Sequence, residues 1–243
     1  QKVNSNENEN ENTNKEINYK LEALRGNFMP SIVLLDEKKI SIEEPVDEKG
    51  DTLLHLACKY ANADVVKTLI GEFDADINYK NKANKTPFYF LCKNKKNDDP
   101  FLFSYFIQQR RLDIDSEDCE GITPLICSIK SKNLNMFYTL ISLGCDLKHK
   151  DKEFRDVYYY AIKYDNINVL KYLLNHSGID LFSSINNLTP ILVTSKGSRC
   201  CKYLFKHCYD KVINGISEPL DKVNYPQEKL NLFNYELVLT SYE

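Results

Sequence analysis

Residues 49–58, Lys-Gly-Asp-Thr-Leu-Leu-His-Leu-Ala-Cys, decide the fold of this chain, because the phrase that begins at Thr52 recurs along it. The further copies are Thr-Pro-Phe-Tyr from Thr86, Thr-Pro-Leu-Ile from Thr123 and Thr-Pro-Ile-Leu from Thr189. The steps between these Thr residues are 34, 37 and 66 residues, and 66 is twice 33. A diverged copy, Asp-Val-Tyr-Tyr from Asp156, stands at the missing place. A period near 33 residues predicts a solenoid, in which stacked units form an extended surface.

Each copy of the phrase has the pattern of a helix start. The Thr suits an N-cap, where its hydroxyl accepts a backbone N–H, and the following Pro suits the first helical position. Apolar residues then recur at helical spacing, and a polar corner such as 132–135 precedes a second helix, Met136 to Leu143. Gly144 follows, as is favoured just past a helix end. The pattern predicts an all-α chain of helix–turn–helix units.

This repeat resembles the ankyrin repeat. The segments that carry the resemblance are the first-helix opening 49–58, the second helix 64–70 and the closing turn 75–78. The resemblance spans about 17–214, and it is strongest in the unit built on Thr52 and weakest in the unit built on Asp156. It implies an all-α ankyrin-repeat solenoid with projecting β-hairpin-like turns, and a function in binding other proteins. It also implies that His55 is structural and bridges neighbouring turns by hydrogen bonds.

The repeats predict one elongated domain with extensions at both ends. Residues 1–16 are rich in Asn, Glu and Lys, which predicts a disordered tail that is dispensable for stability. The heavy use of Asn, Lys and Tyr in the chain is typical of an AT-rich genome such as an apicomplexan's. Residues 17–46 lack the Thr-Pro opening and predict an N-terminal capping repeat. Five ankyrin repeats are predicted at 47–80, 81–117, 118–150, 151–183 and 184–214. Residues 215–243 predict a degenerate or truncated repeat, so we expect the natural protein to continue.

Composition argues against several classes of protein. The net charge of -3, from 32 basic and 35 acidic residues, gives no global signal for nucleic acid or membrane. No apolar run is long enough to span a bilayer, and the first residues lack the apolar segment of a signal peptide. Three of the eight Cys, namely Cys58, Cys92 and Cys127, occupy small slots late in predicted first helices. This usage favours reduced core thiols over a disulfide scaffold, and hence a cytoplasmic location.

No motif predicts catalysis. The eight Gly are scattered singly, so no phosphate-binding loop is present, and no Cys-x-x-Cys pair occurs. The best metal candidate joins Cys200 and Cys201 to His207 and Cys208, but packed thiols on a helix are the favoured interpretation. No Ser or Cys nucleophile is paired locally with a His. We expect no enzyme activity, no cofactor and no metal in this chain.

A Lys stands seven residues after every N-cap position. The five are Lys59, Lys93, Lys130, Lys163 and Lys196. The resemblance places this slot late on the inner helix, facing the concave groove, with stacked helices roughly 10 Å apart. Such a row of ammonium groups would attract an acidic protein segment. Solvated lysines that serve solubility would give the same pattern.

The predicted turns beside this row supply the other candidate contacts. These are Lys82, Glu120, Ile122, Lys152, Arg155, Ile185 and Leu188. Three of them are apolar at positions that the ankyrin pattern usually leaves variable and wet, which indicates a contact surface.

Three functions compete. The leading hypothesis is a monomeric, non-enzymatic scaffold or adaptor that binds another protein along the groove and contacts neither nucleic acid nor membrane. The alternative is the substrate-recognition module of a larger enzyme, such as a DHHC-type palmitoyltransferase, whose layout places ankyrin repeats ahead of membrane helices and a Cys-rich domain. The third is a nucleic-acid or phosphoinositide groove built on the lysines, which the near-neutral net charge and the absence of aromatic stacking motifs disfavour.

Overall fold

The computed structural model describes residues 18–94, 100–109, 111–176, 198–204 and 206, and within them it contains helices and turns but no β-strand. The helices are α1 (18–24), α2 (Met29–Asp36), α3 (Leu53–Tyr60), α4 (Ala63–Gly71), α5 (Pro87–Lys93), α6 (Pro100–Gln108), α7 (Pro124–Ser131), α8 (Leu134–Ser142), α9 (Val157–Lys163), α10 (Ile167–His176) and a stretch from 199. The all-α fold class is confirmed. The predicted tail 1–16, most of the unit 184–214 and all of 215–243 lie outside the described residues.

The recurring phrase is a helix N-cap. The side chains of Thr86, Thr123 and Asp156 each accept the backbone N–H three residues later, at 3.4, 3.4 and 3.1 Å. The diverged copy keeps its cap because a carboxylate accepts an N–H as a hydroxyl does. At Thr52 the backbone N–H donates to Nδ1 of His55 at 3.1 Å, and the Thr52 hydroxyl lies 2.9 Å from the same nitrogen.

The helices form two layers. The first helices of successive units, α3, α5, α7 and α9, contact one another in that order and form the inner layer. Helices α4, α8 and α10 pack against α3, α7 and α9, while the pairs α4–α6 and α8–α10 contact each other in the outer layer. Leu56, Leu91, Ile129 and Ile162, one from each inner helix, have no exposed surface. Each such burial stabilises the fold by about 1.5–3 kcal/mol, and only neighbouring units supply it.

The corner between paired helices is shorter than the sequence pattern predicts. Lys132 ends α7 in the left-handed conformation, with φ 58°, and the side chain of Asn133 caps α8 by accepting a backbone N–H at 3.1 Å. Residues 134–135, predicted to belong to the corner, are therefore the first residues of α8. Ala61 and Asn62 repeat this two-residue corner between α3 and α4. Residues 95–99, which precede α6, lie outside the described residues.

Helices α1 and α2 pack against the first repeated unit. The hydroxyl of Tyr60, at the end of α3, donates to the carbonyl oxygen of Leu24, and Phe28 meets the Tyr60 ring edge-on at 6.3 Å between centroids. The exposed apolar residues of this pair are Leu21, Met29 and Val33.

Candidate interaction surface

Within the described residues, four turns connect the units, and one Asp or Asn side chain builds each of them. Asp47, Asn81, Asp118 and Asp151 occupy the same place, and the Oδ1 atom of each accepts the backbone N–H groups two and four residues later, at 2.9–3.0 Å. These bonds satisfy donors that a tight turn leaves without a backbone acceptor. All four turns therefore share one shape, although their exposed residues differ.

Neighbouring turns are joined by backbone hydrogen bonds. The three bonds run from Lys82 to Lys49 at 3.0 Å, from Cys119 to Ala83 at 2.9 Å and from Lys152 to Glu120 at 3.2 Å, each from N–H to carbonyl oxygen. The turns thus form one continuous edge along the inner layer. On this edge the side chains of Lys82, Glu120 and Lys152 are exposed.

His55 locks the first two turns together. Its side chain is fully buried, and its Nε2 lies 2.9 Å from the carbonyl oxygen of Lys85 in the next turn. A carbonyl only accepts, so Nε2 carries the proton and Nδ1 accepts the N–H of Thr52. Burial lowers the pKa of His55, because desolvation disfavours the imidazolium. The predicted structural role is confirmed, and both ring nitrogens are engaged in it.

The lysine row, Lys59, Lys93, Lys130 and Lys163, runs along the inner layer. Each Lys lies in the last turn of its helix, α3, α5, α7 or α9. These helices contact one another in sequence, so adjacent members stand on helices about 8–10 Å apart. Three are exposed, Lys130 is half-buried, and none forms an ion pair with any residue that the structure describes. Lys196, the fifth member predicted, lies outside the described residues.

The row also stabilises the helices that carry it. A cation in the last turn interacts favourably with the negative end of the helix dipole, by about 0.3–1 kcal/mol. The ammonium group of Lys163 further lies 5.4 Å from the centroid of the Tyr159 ring. The ammonium group of Lys130 lies 5.7 Å from the centroid of Tyr160, and that of Lys59 lies 5.9 Å from the centroid of Tyr60. These ring contacts orient the ammonium groups without neutralising their charge.

Neighbouring lysines act on a common point. The thiol of Cys127 is buried, and burial raises its pKa to about 11. The positive charges of Lys93, Lys130 and Lys85 oppose that rise. These three cations come from two adjacent units and act together on this thiol.

Two predicted contact residues are not available to a partner. Ile122 has no exposed surface: its N–H binds Asp118 and its carbonyl closes the turn, which places the side chain in the core. The guanidinium of Arg155 donates to Asp151 and to Glu153, at 2.6 Å in each case, so its charge is neutralised within the turn. The prediction that Ile122 forms a contact surface is therefore wrong, and Arg155 holds its own turn together. Ile185 and Leu188 lie outside the described residues.

The described residues offer no assembled chemical site. No group of three or more His, Cys, Asp or Glu side chains among them is placed to bind a metal ion. Burial raises the thiol pKa of Cys58 and Cys92, whereas a nucleophilic thiol needs a lowered pKa. Cys200 and Cys201 are also buried, while the other two members of the metal candidate, His207 and Cys208, lie outside the description. No helix of the described segments is long and apolar enough to cross a bilayer.

Two features of this surface were not predicted from the sequence. The turn-building side chains recur at 47, 81, 118 and 151, in step with the N-cap residues, so aligning the units would have found them. The same alignment would have shown that Phe154 occupies a turn position held by Gly50, Asn84 and Gly121 in the other units.

Comparison with known proteins finds similar repeats. The family described as "Ankyrin repeats (3 copies)" matches residues 54–151. Neurogenic locus notch homolog protein 1 of Xenopus tropicalis is 28% identical over 152 residues, which are 63% of this chain and 6% of the relative. The human protein of the same name is 26% identical over 153 residues, which are 63% of this chain and 6% of the relative. Human neurogenic locus notch homolog protein 2 is 26% identical over 136 residues, which are 56% of this chain and 5% of the relative. The chain thus spans no more than 6% of the length of these curated relatives.

Proposed function

We propose, from the premise that this chain is an ankyrin-repeat protein, that it is a non-enzymatic binding module whose lysine row holds an acidic segment of a partner protein. Ankyrin repeats bind other proteins, and the described residues present a surface without an assembled chemical site. The buried thiols of the described residues, none of them in a disulfide, support a reducing compartment such as the cytoplasm as its location.

One observation carries this proposal: four consecutive inner helices present a Lys at the same place, and none of these lysines has a carboxylate partner among the described residues. A single exposed ion pair contributes only about 0–1 kcal/mol, because water and salt screen it. Several cations that act on one segment raise the local potential together and speed its association.

The spacing of the row defines the segment that would fit it. Adjacent inner helices stand about 8–10 Å apart, and a segment in the polyproline II conformation advances about 3.1 Å per residue and returns to the same face every three residues. Such a segment with Asp or Glu at every third position would therefore meet successive lysines. This match favours a segment of protein over a folded acidic surface, whose carboxylates have no reason to repeat at that distance.

The charges on the turn edge favour protein over nucleic acid. Glu48 on the first turn and Glu120 on the third are exposed there, at the other end of the inner helices from the lysines, and the net charge of the whole chain is -3. A uniformly charged phosphate backbone would be repelled at both turns, whereas a peptide can place neutral or basic residues there.

Selection of a random peptide library displayed on phage against the full chain tests the proposal. We expect enriched peptides to carry an excess of Asp and Glu, and their association rate to fall steeply as NaCl rises from about 50 to about 300 mM. Enriched sequences without an acidic excess would refute the acidic partner.

Matched charge reversals locate the site. The row variant carries Lys93→Glu, Lys130→Glu and Lys163→Glu. The control carries Lys38→Glu, Lys67→Glu and Lys171→Glu, which change the net charge equally at exposed positions outside the row. We expect the row variant to slow association more than it speeds release, and the control to bind almost as the original chain does. Because charge reversal weakens a helix end, a Lys→Gln version of the row variant guards against unfolding. Full binding by that neutral version would exclude the row as the site.

A further inference from the structure

The chain carries an acidic segment of its own ahead of α1. Glu7, Glu9 and Glu11 alternate with Asn within residues 5–13, a stretch that contains no Lys or Arg. This acidic stretch lies outside the described residues, and residues 14–17 separate it from the start of α1. Its charge is opposite to that of the lysine row, so it is a candidate occupant of the row within the same molecule.

Helix α1 brings the acidic stretch close to the first lysine of the row. Near the start of α1, the Lys20 ammonium lies 2.7 Å from the Glu44 carboxylate, which precedes the first turn. At the end of α1, the Leu24 carbonyl accepts the hydroxyl of Tyr60, the neighbour of Lys59. The helices α1 and α3 therefore run side by side in the same direction. Because a helix advances about 1.5 Å per residue and neighbouring helices stand about 8–10 Å apart, the start of α1 lies about 12–14 Å from Lys59.

The chain between the acidic stretch and α1 is long enough to cover this distance. An extended chain advances about 3.3 Å per residue, so the chain from Glu11 to the start of α1 spans up to about 23 Å. Glu11 can therefore lie against Lys59 with length to spare. Glu7 and Glu9 stand further from α1 in the chain, and the added length carries them to Lys93 on the next inner helix.

Cations closer to the acidic stretch are already paired. Three basic residues of α1, α2 and their connections have a carboxylate partner at 2.7–3.1 Å, namely Lys20, Arg25 and Lys39. Lys59 and Lys93, in contrast, are exposed and form no ion pair with any described residue. They are therefore more attractive positions for the acidic stretch than the paired cations beside α1.

We propose that the acidic stretch occupies the lysine row at Lys59 and Lys93 in the free protein and competes there with the partner segment, an inference that rests on the proposed function. Covalent attachment gives the stretch an effective concentration in the millimolar range, on the order expected for a short linker. Its carboxylates recur at every second residue, about 6–7 Å apart in an extended chain, so they match the lysine spacing less well than carboxylates at every third residue do. A better-matched partner segment therefore displaces it. Exposed ion pairs contribute little to stability, so this contact agrees with a tail that is dispensable for folding.

Carbodiimide cross-linking of the full chain, read by mass spectrometry, tests the contact directly. The reagent joins a carboxylate to an amine only where the two meet. We expect links from Glu7, Glu9 or Glu11 to Lys59 and Lys93 at about 20 mM NaCl, and few at about 300 mM. Links spread evenly over exposed lysines, Lys38 and Lys67 included, would overturn the proposal. Links found only in covalent dimers would place the stretch on the row of a second copy and overturn the contact within one chain.

Neutral substitutions test the competition. The tail variant carries Glu7→Gln, Glu9→Gln and Glu11→Gln. The control carries Asp36→Asn, Glu48→Gln and Glu72→Gln, which change the net charge equally at exposed positions away from the row. We expect the tail variant to bind the selected acidic peptide about three-fold tighter or more at about 50 mM NaCl, and as the original chain does at about 300 mM. The control should stay within about two-fold of the original chain at both salt concentrations.

The outcomes distinguish this inference from the proposed function. If the row variant loses the selected peptide while the tail variant binds it no tighter than the control does, the competition is refuted and the lysine row stands. If the row variant keeps the peptide and the acidic stretch forms no preferred links, the proposed function fails and this inference fails with it. Preferred links to Lys59 and Lys93 that persist in the presence of saturating peptide would show that the two do not exclude each other, which also overturns the competition.

Discussion

Mild acid should destabilise this protein through His55. The imidazole is fully buried, with Nε2 at 2.9 Å from the Lys85 carbonyl oxygen and Nδ1 at 3.1 Å from the Thr52 backbone nitrogen. Desolvation by burial lowers the pKa of His55 in the folded protein, because the buried site disfavours the charged imidazolium.

The sign and the size of the effect follow from proton linkage. A His in the unfolded chain titrates near pH 6.5, so above that pH neither state binds the proton and stability is complete. As the pH falls below about 6.5, the unfolded chain binds a proton that the folded chain refuses. The free energy of unfolding then falls by at most about 1.4 kcal/mol per pH unit, until the lower pKa of the folded state is reached. For a chain of this size, that is a fall in melting temperature of about 3–6 °C per pH unit.

Urea unfolding of the original chain and of His55→Gln, followed by circular dichroism from about pH 8 to about pH 5, measures this contribution. Gln retains a donor for the Lys85 carbonyl but does not titrate, and carboxylates common to both proteins cancel in the difference. We expect the variant to be less stable at neutral pH and the gap to narrow as the pH falls. A gap that stays constant would refute the reasoning, and a gap that widens in acid would show in addition that Asp51 and Asp47 hold the charged imidazolium.

Three further predictions test the turns, the caps and the core thiols. Gly121→Ala should lower the free energy of unfolding more than Gly144→Ala does, as measured in urea titrations. Both glycines have φ near 80°, so the backbone strain is common to the two variants. A Cβ at Gly121 would lie 3.0 Å from the backbone of the next turn, whereas a Cβ at Gly144 would have no atom within 4 Å. Equal losses would contradict the close packing of the turns. Thr123→Ala should lower the free energy of unfolding by about 0.5–2 kcal/mol, because it removes the cap of α7. Thr123→Ser keeps a hydroxyl and should keep most of the stability that the cap supplies. An unchanged urea midpoint for the Ala variant would disprove the cap. Iodoacetamide under native conditions, read by mass spectrometry, should modify the exposed Cys119 quickly and the buried Cys92, whose thiol pKa is raised by burial, only as fast as the protein opens. Similar rates at both would show that the described core is open to solvent.

Side-chain contacts within the turns decided what the sequence pattern missed at the surface. Ile122 is apolar at a turn position and was predicted to be exposed, but the hydrogen bonds of Asp118 close the turn around it and bury it. Arg155 has the charge expected of a contact residue, yet two carboxylates of its own turn neutralise it. Both outcomes depend on where side chains meet across a turn, which spacing along the chain does not specify.

The sequence by itself determined the period and the helix starts, because these depend on local chemistry: a capping side chain, helical spacing of apolar residues and a repeat that supplies its own neighbours. The role of His55 followed only from the ankyrin resemblance, since its partner, the Lys85 carbonyl, lies 30 residues away in the chain. It also placed a Lys at one position of each unit. Only the tertiary structure decided that four of these lysines stand in one row and form no ion pair with described residues, since that depends on the stacking of α3, α5, α7 and α9. The left-handed backbone at Phe154, with φ 60°, likewise arises only when the turn closes, because the side chain of Asp151 and the neighbouring turn together impose a conformation that Phe itself does not favour.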